Sequence, residues 1–94
     1  MNSLPETPNL DHLKRQAKDL LAAYRRHQPE AMSQFRRHLP VARGASDADL
    51  KAASLRLADA QSCIARAYGY ASWADLRAMV ELLRLRASDL HALR

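Results

Sequence analysis

With Cys63 as its one cysteine among 94 residues, the chain has no internal disulfide, and with no second thiol or nearby histidine it lacks the ligand spacing of a structural zinc site. Aromatic residues are scarce: Phe35, Trp73 and the tyrosines Tyr24, Tyr68 and Tyr70 are all there are. Gly44 and Gly69 are the only glycines, so no glycine-rich phosphate loop is present. His12, His27, His38 and His91 are scattered without i, i+4 pairing, and no Ser/His/Asp order appears. No stretch approaches the run of about eighteen apolar residues that a membrane span needs, and Met1 to Asn9 carry neither the basic nor the apolar segment of a secretory leader. These absences lead us to expect a cytoplasmic, non-catalytic protein that uses no metal, cofactor or membrane.

What is present favours helix. Ala, Leu and Arg dominate a chain that is 48% hydrophobic, and such unbranched side chains lose little rotamer freedom in a helix. The length suits one modest core. We therefore expect an all-α fold: a compact bundle of four to five short helices, orthogonal or mixed, with a helix-turn-helix-like C-terminal pair. Residues 1–9 read as an N-terminal extension and residues 10–94 as a single helical domain.

Leu10, Leu13, Ala17, Leu20, Leu21 and Tyr24 recur at spacings of three and four, which predicts an amphipathic helix from about Asp11 to His27, capped by Asn9. Pro29 opens a second helix that carries Met32, Phe35 and Leu39 inward and stops at Pro40. Val41 to Ala45 read as a loop. Ser46 with Asp49 has the spacing of a capping box ahead of a short helix to about Ser54. Leu57 to Tyr68 follow as a helix with Leu57, Ala60, Ile64 and Tyr68 on its inner side, ended by Gly69. Gln61 is expected to return a hydrogen bond to the start of that helix. Ser72 caps the last helix, which begins at Trp73, carries Leu76, Met79, Val80 and Leu83 inward, and gives way at Ser88 to a separately capped half-turn. Trp73, Tyr70 and Tyr68 are expected to bury aromatic area beneath the turn.

The segment from Leu57 to Arg77, LADAQSCIARAYGYASWADLR, resembles the "LADAQ…IAR.YGF.SW..LK" motif of a bacterial helical domain found ahead of ankyrin repeats in some ankyrin-repeat proteins and attached to some glyoxalase-like proteins. The run LKRQAKDLL from Leu13 to Leu21 is similar to that family's opening helix. The resemblance implies a helical accessory module and brings no catalytic or ligand-binding residue with it. Ala58, Cys63, Ala67 and Tyr70 depart from the family's usual residues without breaking the pattern. Within the motif, Gln61, Gly69, Ser72, Trp73 and Leu76 read as cap, turn and core residues.

The formal net charge of +5 and a pI of about 10.0 raise nucleic acid as a partner. The excess is N-terminal: seven basic residues against three acids between residues 10 and 39, five against four from residue 57 onward. Lys14, Lys18 and Arg25 share a helix face, with Arg26, Arg36 and Arg37 near them. Twelve of the fifteen basic residues are Arg, which genome composition explains as readily as a selected surface. Gln61, Ala65 and Gly69, spaced by four, also match a helix-turn-helix skeleton. The helix after it offers Arg77 as its evident base reader, while Asp75 repels phosphates.

The last helix suggests a different role. Beyond its inward stripe it carries Ala78, Leu82 and Leu85, followed by Leu90 and Leu93, and apolar residues on two sides of a terminal helix call for a second packing partner. We therefore expect a non-catalytic interaction module. It acts through Leu82, Leu85, Leu90 and Leu93 on a protein partner or on itself as a homodimer. The alternative is a nucleic-acid-binding protein that uses Lys14, Lys18, Arg25, Arg26, Arg36, Arg37 and Arg77. The sequence leaves the partner's identity open.

Overall fold

In the computed structural model of the chain, which describes residues 9–92 and the side chains as far as Leu85, Asn9 sets the first helix. Its side-chain oxygen accepts the N–H groups of Asp11 at 2.8 Å and His12 at 3.4 Å, two donors that a helix start otherwise leaves unpaired. Helix α1 (Leu10–Arg25) buries Leu13, Ala17, Leu20, Leu21 and Tyr24, the stripe its periodicity predicts. It ends in a Schellman closure with His27, at φ 60°, in the left-handed position that glycine usually takes. The His27 N–H donates to the Tyr24 carbonyl at 2.9 Å and the Gln28 N–H to that of Ala23 at 3.1 Å.

Pro29 then starts α2 (Pro29–His38), where its missing N–H costs nothing. This helix buries Ala31, Met32 and Phe35. Phe35 meets the Tyr24 ring edge-on, with centroids 5.4 Å apart and planes at 70°, a favoured aromatic geometry. The expected loop opens as a 3₁₀ turn (Pro40–Ala42) that buries Ala42. Ser46 and Asp49 form the capping box of α3 (Asp47–Ala52): the hydroxyl accepts the Asp49 N–H at 3.1 Å and the Asp49 carboxylate accepts the Ser46 N–H at 3.3 Å.

Helix α4 (Leu57–Ala67) is central and packs on α1, α2 and the last helix. Its buried residues Ala60, Cys63, Ile64, Ala65 and Ala67 cover more than half its circumference, and the small ones among them let neighbouring helices approach. Two expectations need correction here. Leu57 is 36% exposed rather than inward: it shares the buried arc of α4 but is its first residue, at the end of the helix. The return hydrogen bond at the helix start comes from Asp59, whose carboxylate accepts the Arg56 N–H at 2.8 Å. Asp59, not Gln61, is the third helical residue.

The turn after α4 closes like that after α1. Gly69, at φ 90°, occupies the left-handed position, with its N–H on the Arg66 carbonyl at 3.0 Å and the Tyr70 N–H on that of Ala65 at 3.0 Å. Ser72 caps α5 (Trp73–Ala92) by accepting the Asp75 N–H at 3.1 Å. Leu76 and Val80 are buried, whereas Trp73 and Tyr70 are only partly covered, at the edge of the core. The expected break at Ser88 is absent: α5 runs through it as one helix of 20 residues. The five helices make an all-α bundle with no strand among the described residues, as the composition predicts.

Candidate functional site

The outer face of α5 follows from its length. At about 1.5 Å per residue, α5 is about 30 Å long and α4 about 16 Å, and α4 is the one element among the described residues on which α5 packs extensively. Leu76 and Val80 lie in the covered half. On the far side Ala74, Ala78, Leu82 and Leu85 are all exposed, with Leu82 at 58% and Leu85 at 60%. Ala78, Leu82 and Leu85 follow one another at steps of four and three, the spacing of a helix-pairing seam. Between Trp73 and Leu85 the charges balance, Asp75 and Glu81 against Arg77 and Arg84. Leu90 belongs to α5, but its side chain and the whole of Leu93 lie outside the described residues.

The basic residues do not form one patch. Lys14, Lys18 and Arg25 are exposed along one flank of α1, and Arg26 and Arg37 are exposed as well. Arg36 is committed elsewhere: its Nε donates to the Ala45 carbonyl at 2.7 Å and its guanidinium pairs with Asp47, which pins the loop before α3. Arg77 is exposed on α5, one helix removed from the α1 flank.

Sequence reasoning missed a cleft of about 410 Å³ between the end of α1 and the α3–α4 turn, whose walls include Arg25, His27, Lys51, Ser54 and Arg56. Tyr24 builds it. Its buried hydroxyl donates to the Leu50 carbonyl and accepts the Leu55 N–H at 3.3 Å, so the turn carrying Lys51 and Arg56 is held against the end of α1. Ser54, at φ 53°, bends the backbone between those two cations. No carboxylate pairs with Arg25, Lys51 or Arg56 among the described residues, where Arg36–Asp47 is the one ion pair. A second cleft of about 300 Å³ lies on the other side of α1 and mixes Asp19 and Glu30 with the amides of Gln16, Gln28 and Gln34.

Two of the structural motif residues hold the turn. Gly69 and Ser72 close and cap it, Leu76 is fully buried, and Gln61 and Trp73 are half-buried. Cys63 is buried, with its Sγ 3.5 Å from the Gln34 carbonyl, and burial pushes its thiol pKa up to about 12. His38 is held below its ordinary value by burial and by the neighbouring Arg37. Among the described residues no helix is long and apolar enough to cross a membrane, and no group of three or more His, Cys, Asp or Glu is placed to hold a metal ion. No family model, no curated protein and no solved structure matches the chain.

Proposed function

We propose that the chain is a non-catalytic interaction module whose α5 pairs with α5 of a second copy. The observation that carries this reading is the exposure of Leu82 and Leu85 on a helix that outruns its support. A two-fold pair sets the same stripe on both sides, with Ala78 small enough for close approach. Charge selects the same surface. Two copies of a +5 chain repel one another, and the Trp73–Leu85 segment, with equal numbers of acids and bases, is where they meet with least opposition. The resemblance of the Leu57–Arg77 segment to an accessory domain of larger bacterial proteins supports an interaction role over a chemical one.

Magnitudes limit the affinity. Full burial of a leucine stabilises by about 1.5–3 kcal/mol, so four leucines already about 40% covered supply roughly 4–7 kcal/mol to a pair. Association itself costs at least about 4 kcal/mol. The leucines therefore leave at most about 3 kcal/mol, so the pair is weak, with a Kd of millimolar or above, and forms at high protein concentration. Sedimentation equilibrium over a concentration series tests it. The native chain should show a rising mass average and Leu82→Glu/Leu85→Glu a constant monomer mass, while identical curves for the two would remove the basis of the reading.

A further inference from the structure

We infer that the flank of α1 and the cleft at its end form one track for the sugar-phosphate backbone of a single-stranded nucleic acid. Lys14, Lys18 and Arg25 fall within about 40° of one another around α1 and span about 16 Å of its length. Arg25 is also a wall of the cleft, where Lys51 and Arg56 join it from the other side. The line is therefore continuous, although its members come from three separate stretches of sequence.

Three features favour a phosphate chain. The cations of the cleft have no carboxylate partner among the described residues, so an incoming anion displaces none. Three of the last four carbonyls of α1 are already engaged: those of Ala22, Ala23 and Tyr24 accept the N–H groups of Arg26, Gln28 and His27. The acids nearest in sequence to Lys51 and Arg56, Asp49 and Asp59, are engaged by the Ser46 and Arg56 N–H groups. Cations spread over the flank and the cleft exceed what one phosphate can use, and a flexible single strand can bend from the flank into the cleft of about 410 Å³. No exposed aromatic side chain offers a stacking platform along the track, since Tyr24 is 5% exposed. Binding is thus electrostatic, indifferent to base sequence and steep in salt.

The experiment is fluorescence anisotropy of a labelled mixed-sequence single strand of about 20 nucleotides, long enough for a typical single-strand site, at several salt concentrations. Lys51→Glu/Arg56→Glu is compared with Arg43→Glu/Arg66→Glu, which changes the net charge equally at exposed positions off the track. All four residues are exposed, and far-UV circular dichroism confirms that each variant keeps its helices. The native chain should bind with a log–log salt slope of about −3.5, one contact from each of the five cations. The cleft variant should lose roughly ten-fold more affinity than the control and about two contacts' worth of slope. Equal losses in both variants, or no binding by the native chain at low salt, would overturn the proposal. Inorganic tripolyphosphate is the competing arm: if it binds as tightly as the strand, the cleft takes a small oligophosphate and the track is refuted.

Discussion

Tyr24 and Leu55 are joined across 31 positions of sequence by a buried hydrogen bond, the Leu55 N–H donating to the Tyr24 hydroxyl at 3.3 Å while that hydroxyl donates to the Leu50 carbonyl. One side chain near the end of α1 thus satisfies the backbone on both sides of the α3–α4 turn. The cationic cleft depends on that contact.

Tyr24→Phe keeps the ring against Phe35 and removes only the hydroxyl, leaving the buried Leu55 N–H without a partner and the Leu50 carbonyl with the Ala53 N–H alone. The expected loss is about 1–3 kcal/mol, a fall of roughly 5–15 °C in thermal midpoint for a domain of this size. Affinity for the single strand should fall with it as Lys51 and Arg56 lose their fixed distance from Arg25. An unchanged midpoint would mean that the turn is held by other contacts.

His27 occupies a left-handed position, at φ 60°, without the freedom of glycine. Its side chain is exposed, so His27→Gly relieves the backbone without opening a cavity. A gain of about 0.5–1 kcal/mol is expected in urea unfolding, whereas His27→Ala should give no gain. Ser54, at φ 53°, should respond to glycine in the same direction.

Cys63 should be inert to a thiol reagent such as DTNB in the folded chain at mildly alkaline pH and react in full once the chain is unfolded. Burial raises its pKa from an ordinary 9.0 to about 12, so the folded state disfavours the thiolate. The contribution to stability is complete below pH 9.0 and is lost as pH rises toward 12. Replacing Cys63 with Ala should flatten that alkaline decline, at the cost of a small cavity.

His38 acts at the other end of the scale. Burial and Arg37 hold its folded pKa below the ordinary 6.5, so the unfolded chain binds the proton more readily. Stability should fall as pH drops below 6.5 toward the folded value. His38→Gln should reduce that slope, as measured by chemical unfolding at a series of acid pH values.

Local signals carried the helix map. Asn9, Ser46 with Asp49, and Ser72 cap where their spacing predicts, Pro29 opens α2, and Gly69 closes α4, because each acts on backbone groups within four residues of itself. Two errors are local: Asp59 rather than Gln61 makes the return bond, and α5 runs through Ser88. The others arise where the deciding neighbour is distant in sequence. Leu57 has the periodicity of a core residue, yet as the first residue of α4 it stays 36% exposed while Ala60, one turn on, is fully buried. Arg36 looks like part of a basic surface, and only the folding of the loop across it turns its guanidinium to Ala45 and Asp47. Lys51 and Arg56 show no pattern of their own. They acquire meaning through Tyr24, a tyrosine whose place in an apolar stripe gives no hint of what its hydroxyl holds.

The pairing of α5 is tested most directly by covalent trapping, which the inert Cys63 makes possible. Ala78→Cys places a thiol in the middle of the exposed stripe, and Ala22→Cys places one on the exposed surface of α1. Under mild oxidation Ala78→Cys should form a disulfide-linked dimer much faster than Ala22→Cys, and adding Leu82→Glu/Leu85→Glu should abolish the difference. Equal trapping at the two positions would mean that copies meet by random collision, and the proposed role of α5 would fail.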